Sequence, residues 1–270
     1  MSKERAQHRL TILGCGSSGG VPRIGTMWGK CDPENPKNRR RRCAVLVDRF
    51  GKQGGVTRVL VDTPPDIREQ LLATRVTSLD GVIYTHDHAD HTHGIDDLRM
   101  VAYAMKSRIN VWYDTPTRKS LEHRFDYCFR TPDGSSYPPI LIGHDFNAGD
   151  SVTIEGEGGP VTIEAIGQVH GDIASLGLRI GPLAYSPDVS DLPREAVARL
   201  QELDVWIVDA LRHMPHPSHF SVTDALAWIK RLGVKRGVLT HMTGDLDYAA
   251  LKRDLPGHVE PAFDGMEIFF

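Results

Sequence analysis

Cysteine is scarce in this chain of 270 residues: Cys15, Cys31, Cys43 and Cys128 are the four it has. They show no pair spacing, which excludes a disulfide framework and a zinc knuckle. A reducing setting follows, and the cytoplasm is the expected location. No apolar run approaches the ~18–20 residues that a membrane span needs. The opening stretch MSKERAQHRL is charged and has no apolar core, so no secretory signal is expected. Net charge is also small, at -3, which removes a general pull toward nucleic acid or an anionic membrane. Linkers, low-complexity segments and short repeats are missing as well, and one domain over 1–270 is expected.

What the chain does have is short β-like runs. RLTILG (9–14), CAVLVD (43–48), TRVLVD (57–62), DGVIYT (80–85) and INVWYD (109–114) come first. Helical spacing marks 66–74, where Ile67, Leu71 and Leu72 recur, and a second helix is expected over 117–125. The segment 131–150, with PDGSSYPP, reads as a loop. Further strands are SVTIE (151–155), VTIEAIG (161–167), SLGLRI (175–180) and PLAYS (182–186), with the acidic EGEGGP (155–160) as a hairpin turn. After them helices (194–203, 221–232, 246–254) alternate with strands (VWIVDA, KRGVLT), and GMEIFF closes the chain as an edge strand. This pattern predicts a mixed α/β sandwich.

The chemistry is concentrated in histidine. YTHDHADH (84–91) carries three histidines and two aspartates directly after a strand-like run. His86 and His88 stand two apart and project to one side of an extended segment, so both imidazoles can reach one cation. Asp90 and His91 face a second. Downstream, His170, Asp188 and His241 each follow a strand. Strand ends converge on one edge of a sandwich, which assigns His86, His88 and His170 to one ion and Asp90, His91 and His241 to the other. Asp188, with two carboxylate oxygens, bridges them. Imidazole nitrogen and carboxylate oxygen suit zinc, manganese or iron. Two cations ~3.5–4 Å apart share a water, lower its pKa and make hydroxide at neutral pH. Asp62, at the end of RVLVD, is a candidate to accept the far N–H of a ligand histidine, and Asp209, at the end of VWIVD, sits in a similar place.

THDHADH resembles the HxHxDH signature of the metallo-β-lactamase fold, and His170, Asp188 and His241 fall where that superfamily has its remaining ligands. The resemblance spans nearly the whole chain. It implies an αββα sandwich with a two-metal site at the sheet edges. Aspartate rather than cysteine at 188 is unlike the zinc β-lactamases, and His-x-His rather than His-x-Glu is unlike the flavodiiron enzymes. The opening ILGCGSSGGVP, the basic stretch NRRRRCAVLVD, the tail VLTHMTGDLD and FDGMEI resemble the phosphoribosyl cyclic phosphodiesterase branch, a relative of tRNase Z. There, a histidine matching His219 touches the scissile phosphate. His219 is therefore the candidate general acid or phosphoryl-binding cation, with Asp90 the second candidate catalytic residue and His213 and His216 as competing neighbours. The branch also carries a structural zinc on a cysteine cluster and a later histidine. Here only Cys31 and Gly244 stand at those positions, so no structural zinc is expected.

These features predict a dinuclear metal-dependent hydrolase, with Zn or Mn as the ions. Its substrate would be a small phosphodiester, a cyclic ribose phosphate or nucleotide, cleaved by a metal-bridging hydroxide. A thioester or lactone hydrolase of the same fold, or a nucleotide-binding protein with a retained metal site, are the alternatives. No long basic arm is present to grip tRNA, so a large nucleic acid is not an expected partner, nor is a membrane; a dimer is one open state of assembly. GCGSSGG (14–20) lacks the P-loop pattern. Arg39–Arg42 reads either as a solvated face or as a cluster folded over the site.

Overall fold

Strand periodicity sorts the side chains of the first half onto two faces. In AVLVDRF, Val45 and Val47 point one way and Ala44 and Leu46 the other; in VTRVLV, Val59 and Val61 oppose Leu60. The structure, a computed structural model, describes residues 7–270, so residues 1–6, where the charged opening stretch begins, lie outside the description. In chain order the strands are β1 (His8–Gly14), β2 (Ala44–Phe50), β3 (Val56–Val61), β4 (Gly81–Ile83), β5 (Ile109–Tyr113), β6 (Leu141–Asp145) and β7 (Ser151–Ile154). They continue as β8 (Val161–His170), β9 (Ile173–Ile180), β10 (Leu183–Ser186), β11 (Val205–Asp209), β12 (Arg236–Thr240), β13 (Val259–Pro261) and β14 (Glu267–Phe269). One sheet has the order β14-β1-β2-β3-β4-β5-β6, the other β13-β12-β11-β10-β9-β8-β7.

The two sheets pack face to face. Leu10, Ile12, Val45, Val47, Val59 and Val61 of the first share one core with Ile163, Ala165, Leu176 and Leu178 of the second. Leu46, Leu60 and Val82, on the opposite face of the first sheet, are covered by Ile67 and Leu71 of the helix Ile67–Ala73, by Leu98 and Val101 of Leu98–Met105, and by Leu121 of Thr115–Arg124. The second sheet carries the helix Val222–Leu232 on β11 and β12. That helix buries Val222, Ala225, Ile229 and Leu232 at three- and four-residue intervals. Ser221 and Asp224 form a capping box at its start, and Gly233 ends it at φ 65°. The architecture is the expected αββα metallo-β-lactamase-like sandwich.

Several elements depart from the expectation. The segment 131–150 is not all loop: β6 lies within it and extends the parallel set beyond β5. Its signal was hidden by Pro138 and Pro139 ahead of it and by Gly143, where an added Cβ would lie 1.9 Å from the Tyr113 hydroxyl. The helix Leu98–Met105 and the strand β13 also went unread; β13 ends in Pro261, which an edge position tolerates. GMEIFF does form an edge strand, β14, paired antiparallel with β1.

Parallel strands put their carboxyl ends on one side, and that is where ligands bind in such sheets. β3, β4, β5 and β6 are parallel in one sheet, and β10, β11, β12 and β13 in the other. The sheets are tied at this edge by the Leu176 N–H, which donates to the Thr85 carbonyl at 2.8 Å.

Candidate functional site

Six chain segments bring their chemistry to this edge. Asp62 follows β3, His86 to His91 follow β4, His170 ends β8, Asp188 lies just past β10, Asp209 ends β11, and His241 follows β12. Asp62 and His241 are both held at positive φ, 64° and 56°, where non-glycine residues are uncommon. Such strain persists only where surrounding contacts over-determine it.

Ligand-type atoms converge in two groups. His86, His88, His170 and Asp188 form one, and Asp90, His91 and His241 form another, with the atoms of each within 4.8 Å of one another. Asp188 lies between the groups. Its Oδ2 is 3.5 Å from His170 Nε2, 3.5 Å from His241 Nε2 and 3.9 Å from His86 Nε2, and its Oδ1 is 3.0 Å from His91 Nε2. His91 and His241 also face Asp90 at 3.7 and 3.6 Å. All seven expected ligand residues are thus brought together in the expected partition.

Hydrogen bonding shows what this arrangement suits. His86 Nε2, His91 Nε2, His241 Nε2 and Asp188 Oδ1 are buried and make no hydrogen bond, although carboxylate oxygens lie close by. Buried polar atoms are rarely left so. Converging donor atoms aimed past one another are what a cation between them would satisfy, so the residues fit divalent metal.

The atoms on the far side of the rings are well held. His91 Nδ1 meets Asp62 Oδ2 at 2.7 Å, and Asp62 accepts at 2.8 Å from both the Thr85 N–H and the Thr85 hydroxyl. His170 Nδ1 donates to the Ser218 carbonyl at 2.6 Å. Asp62 therefore stands where an orienting carboxylate was expected. Asp209, expected in a place similar to that of Asp62, does more: its Oδ2 meets His219 Nδ1 at 2.7 Å and accepts from the Val189 N–H at 3.1 Å, while its Oδ1 lies 3.8 Å from His241 Nδ1.

Charge and burial pull the imidazoles apart. Burial presses His170 and His219 down to about 4. Burial also acts against the His241 cation, but Asp188 and Asp90 carry that ring up to about 9. Asp188 is held well below the ordinary carboxylate range by His241 and His91, despite its burial. Asp209 is pushed well above that range by burial.

The centre opens into a cleft of about 420 Å³ whose walls include His88, Asp90, His170, Asp188, His219 and His241. His219 is the one histidine of its loop on the wall. Its ring stacks on His241 with centroids 4.7 Å apart, and with Asp188 and His241 it forms a third convergent group. His213 is exposed, and His216 turns its Nδ1 toward Ser218, at 3.1 Å from the hydroxyl. Ser18, Asp172, Ile173 and Ser218 also line the cleft. None of these four was singled out, since isolated small or acidic loop residues carry no local signal; Ser18 does lie within GCGSSGG, which reaches the site after all.

One reading of other residues is corrected. Arg39–Arg42 is not one face and does not fold over the site: none of the four lines the cleft, Arg39 is exposed, Arg40 is 1% exposed, Arg41 pairs with Asp264 at 3.0 Å and Arg42 with Asp66 at 3.1 Å. Tyr185 and Ser186, just ahead of Asp188, lie wholly buried, Ser186 accepting from Trp206 Nε1 and Gln168 Nε2.

Comparison with known proteins follows the same lines. A sequence model of the family described as "Beta-lactamase superfamily domain" matches residues 57–242. A crystal structure described as a new diphosphatase from the PhnP family is 32% identical, with 97% of each chain covered and a TM-score of 0.85. The short form of human tRNase Z is 18% identical (96% of this chain, 98% of that one, TM-score 0.62). Zn(2+)-bound PqqB from Methylobacterium extorquens is 15% identical (97% and 100%, TM-score 0.73); these last two bear on the fold alone. The octanoyltransferase of Porphyromonas gingivalis (strain ATCC BAA-308 / W83) is 30% identical over 267 residues, 96% of this chain but 51% of that protein. The chain thus spans about half the length of that curated relative.

Proposed function

The chain belongs to the beta-lactamase superfamily and is a hydrolase of the metallo-β-lactamase fold, and from that premise we propose that it cleaves a small phosphodiester, a cyclic ribose phosphate or nucleotide-like ester, with two divalent ions. His86, His88 and His170 would hold one ion and Asp90, His91 and His241 the other, with Asp188 shared; zinc and manganese both suit this donor set. Bound there, the pair supplies Lewis acidity toward the phosphoryl oxygens and acidifies water.

The observation that carries the phosphodiester reading is His219. It stands on the cleft wall beside Asp188 and His241, with Asp209 fixing one ring nitrogen and leaving the other for the cleft. The 2.7 Å contact joins an imidazole pressed toward its neutral form to a carboxyl pressed toward its protonated form, so the pair keeps one proton near the leaving group. An arriving phosphate anion raises the affinity of His219 for that proton. Asp62 and the Ser218 carbonyl orient His91 and His170. The kinship with a protein described as a diphosphatase points to phosphorus chemistry as well. We assign the protein to the cytoplasm, with a small ester and no large nucleic acid as its partner.

A thioester hydrolase is the second reading. It is favoured by one observation, the 30% identity to a protein named for octanoyl transfer.

Phosphorus NMR separates them. Zinc- or manganese-loaded protein is incubated with cyclic ribose phosphates, nucleotide diesters and a diphosphate, and in parallel with an octanoyl thioester. Metal-dependent loss of a diester signal is the expected result. Survival of every phosphorus signal with cleavage of the thioester overturns the phosphodiester reading.

A further inference from the structure

Arg40 lies 1% exposed, among the largest fully buried side chains of the protein. Among the described residues no carboxylate lies within 4.0 Å of it. A buried guanidinium without a counterion is costly and needs all the acceptors it can find. Its carbonyl acceptors lie more than 200 residues away in sequence. Nη1 donates to the Thr243 carbonyl at 2.9 Å and Nη2 to the Leu246 carbonyl at 2.6 Å, while Nε makes no hydrogen bond. Cys31 shares the pocket, its Sγ 3.4 Å from the Leu246 carbonyl and 3.9 Å from Arg40 Nη1.

The segment so gripped begins two residues after His241. Its other ties lead to the same part of the chain. The Met242 N–H donates to the Cys15 carbonyl at 2.9 Å, the Ser17 N–H to the Met242 carbonyl at 3.2 Å, and the Lys30 N–H to the Gly244 carbonyl at 2.7 Å. At Gly29, held at φ 64°, an added Cβ would lie 2.5 Å from the Gly244 oxygen, so the two loops touch backbone to backbone. Arg40 itself exchanges both backbone hydrogen bonds with Val21, at 2.8 and 2.9 Å. Its side chain therefore closes a knot of three segments around the residue that must stay at φ 56° to aim its ring at Asp90 and Asp188.

We propose that Arg40 is the positioning residue of the ion site formed by Asp90, His91 and His241: its guanidinium clamps the Thr243 and Leu246 carbonyls and so fixes His241 in its left-handed conformation. The proposal rests on the two-ion reading of the cleft. The three ligands of the other group, His86, His88 and His170, stand on segments that Arg40 does not touch, so its loss affects the two ions unequally.

The test compares the full-length chain with Arg40→Lys and Arg40→Met. Zinc binding is titrated against a chelator, and histidine ring signals of the metal-free proteins are followed by nitrogen-detected NMR. Arg40→Met is expected to bind one ion with unchanged affinity and the second at least about tenfold more weakly, the usual loss for a group supporting a metal ligand. The His241 signals should move while those of His86 and His170 stay. Arg40→Lys keeps the charge but not the two-pronged reach, and should recover part of the loss; it alone decides the matter if the methionine variant does not fold. Two ions bound as in the wild type, or equal weakening of both with a fall in melting temperature, would overturn the assignment. Neither readout uses a phosphate substrate, so a wrong substrate class leaves this result interpretable.

Discussion

At the scale of single residues, the centre divides into atoms that face the cleft and atoms that hold them. His219 faces it. Replacing His219 with Ala should lower phosphodiester turnover by about 10²–10⁴-fold, the span of a general acid–base group, while two ions still bind. Metal analysis of that variant makes the check sharper, since loss of an ion would make His219 a ligand instead. Asp62 holds. Asp62→Asn leaves a group of the same shape but removes the charge behind His91, and should weaken that ion about 10–100-fold in a chelator competition. YTHDHADH was legible because it crowds ligand types into eight positions, and Asp62 because it ends a strand beside them. Asp209 was legible only as a second strand-end candidate, without its partner His219, and Arg40 was not singled out. One is an aspartate at a strand end like several others, and the other is one of four consecutive arginines. Only the folded chain, which brings Asp209 to His219 and Arg40 to Leu246, separates them from their neighbours.

At the scale of elements, strand ends supply ligands and helix starts anchor loops. The helix Tyr248–Asp254 begins at Asp247, whose carboxylate accepts from the Ala250 N–H at 2.9 Å, the Asn38 amide at 2.6 Å and the Asp32 N–H at 3.2 Å. The cap thus ties the loop after His241 to the loop around residue 35. Partial burial would raise its pKa, but these donors hold it below the ordinary value. A depressed folded pKa stabilises the fold above the unfolded value of about 3.9, and that contribution fades as pH falls through the lower folded value. Asp247→Ala should cost about 1 kcal/mol in denaturant unfolding near neutral pH. Asp247→Asn keeps the cap and should flatten the acid limb below about pH 4, where the aspartate would begin to titrate. Alternation in CAVLVD and TRVLVD made the paired strands readable. β6 escaped because prolines precede it and a glycine interrupts it, although it is a full member of the sheet.

At the scale of the whole molecule, the sandwich pays for its site by burying groups that its own atoms do not satisfy. His86, His91, Asp188 and His241 are each no more than 2% exposed, and each leaves at least one polar atom without a hydrogen bond. Both sheets contribute to this centre, β3 and β4 from one and β8, β10, β11 and β12 from the other. A ligand bound there therefore stabilises the contact between the layers and not one loop. Ions that bind the folded chain and not the unfolded one add RT ln(1 + [L]/Kd), about 2.7 kcal/mol per site at a hundredfold excess over Kd. For a chain of this size each kcal/mol is worth roughly 2–4 °C, so stripping the ions should lower the melting temperature by about 5–10 °C per site. Readdition of zinc or manganese should restore it in proportion to the logarithm of free metal. Asp188→Ala, which removes the carboxylate common to both groups, should abolish most of that response for both ions together. Loss of the response for one ion alone would show that the two sites are built independently and that Asp188 does not link them.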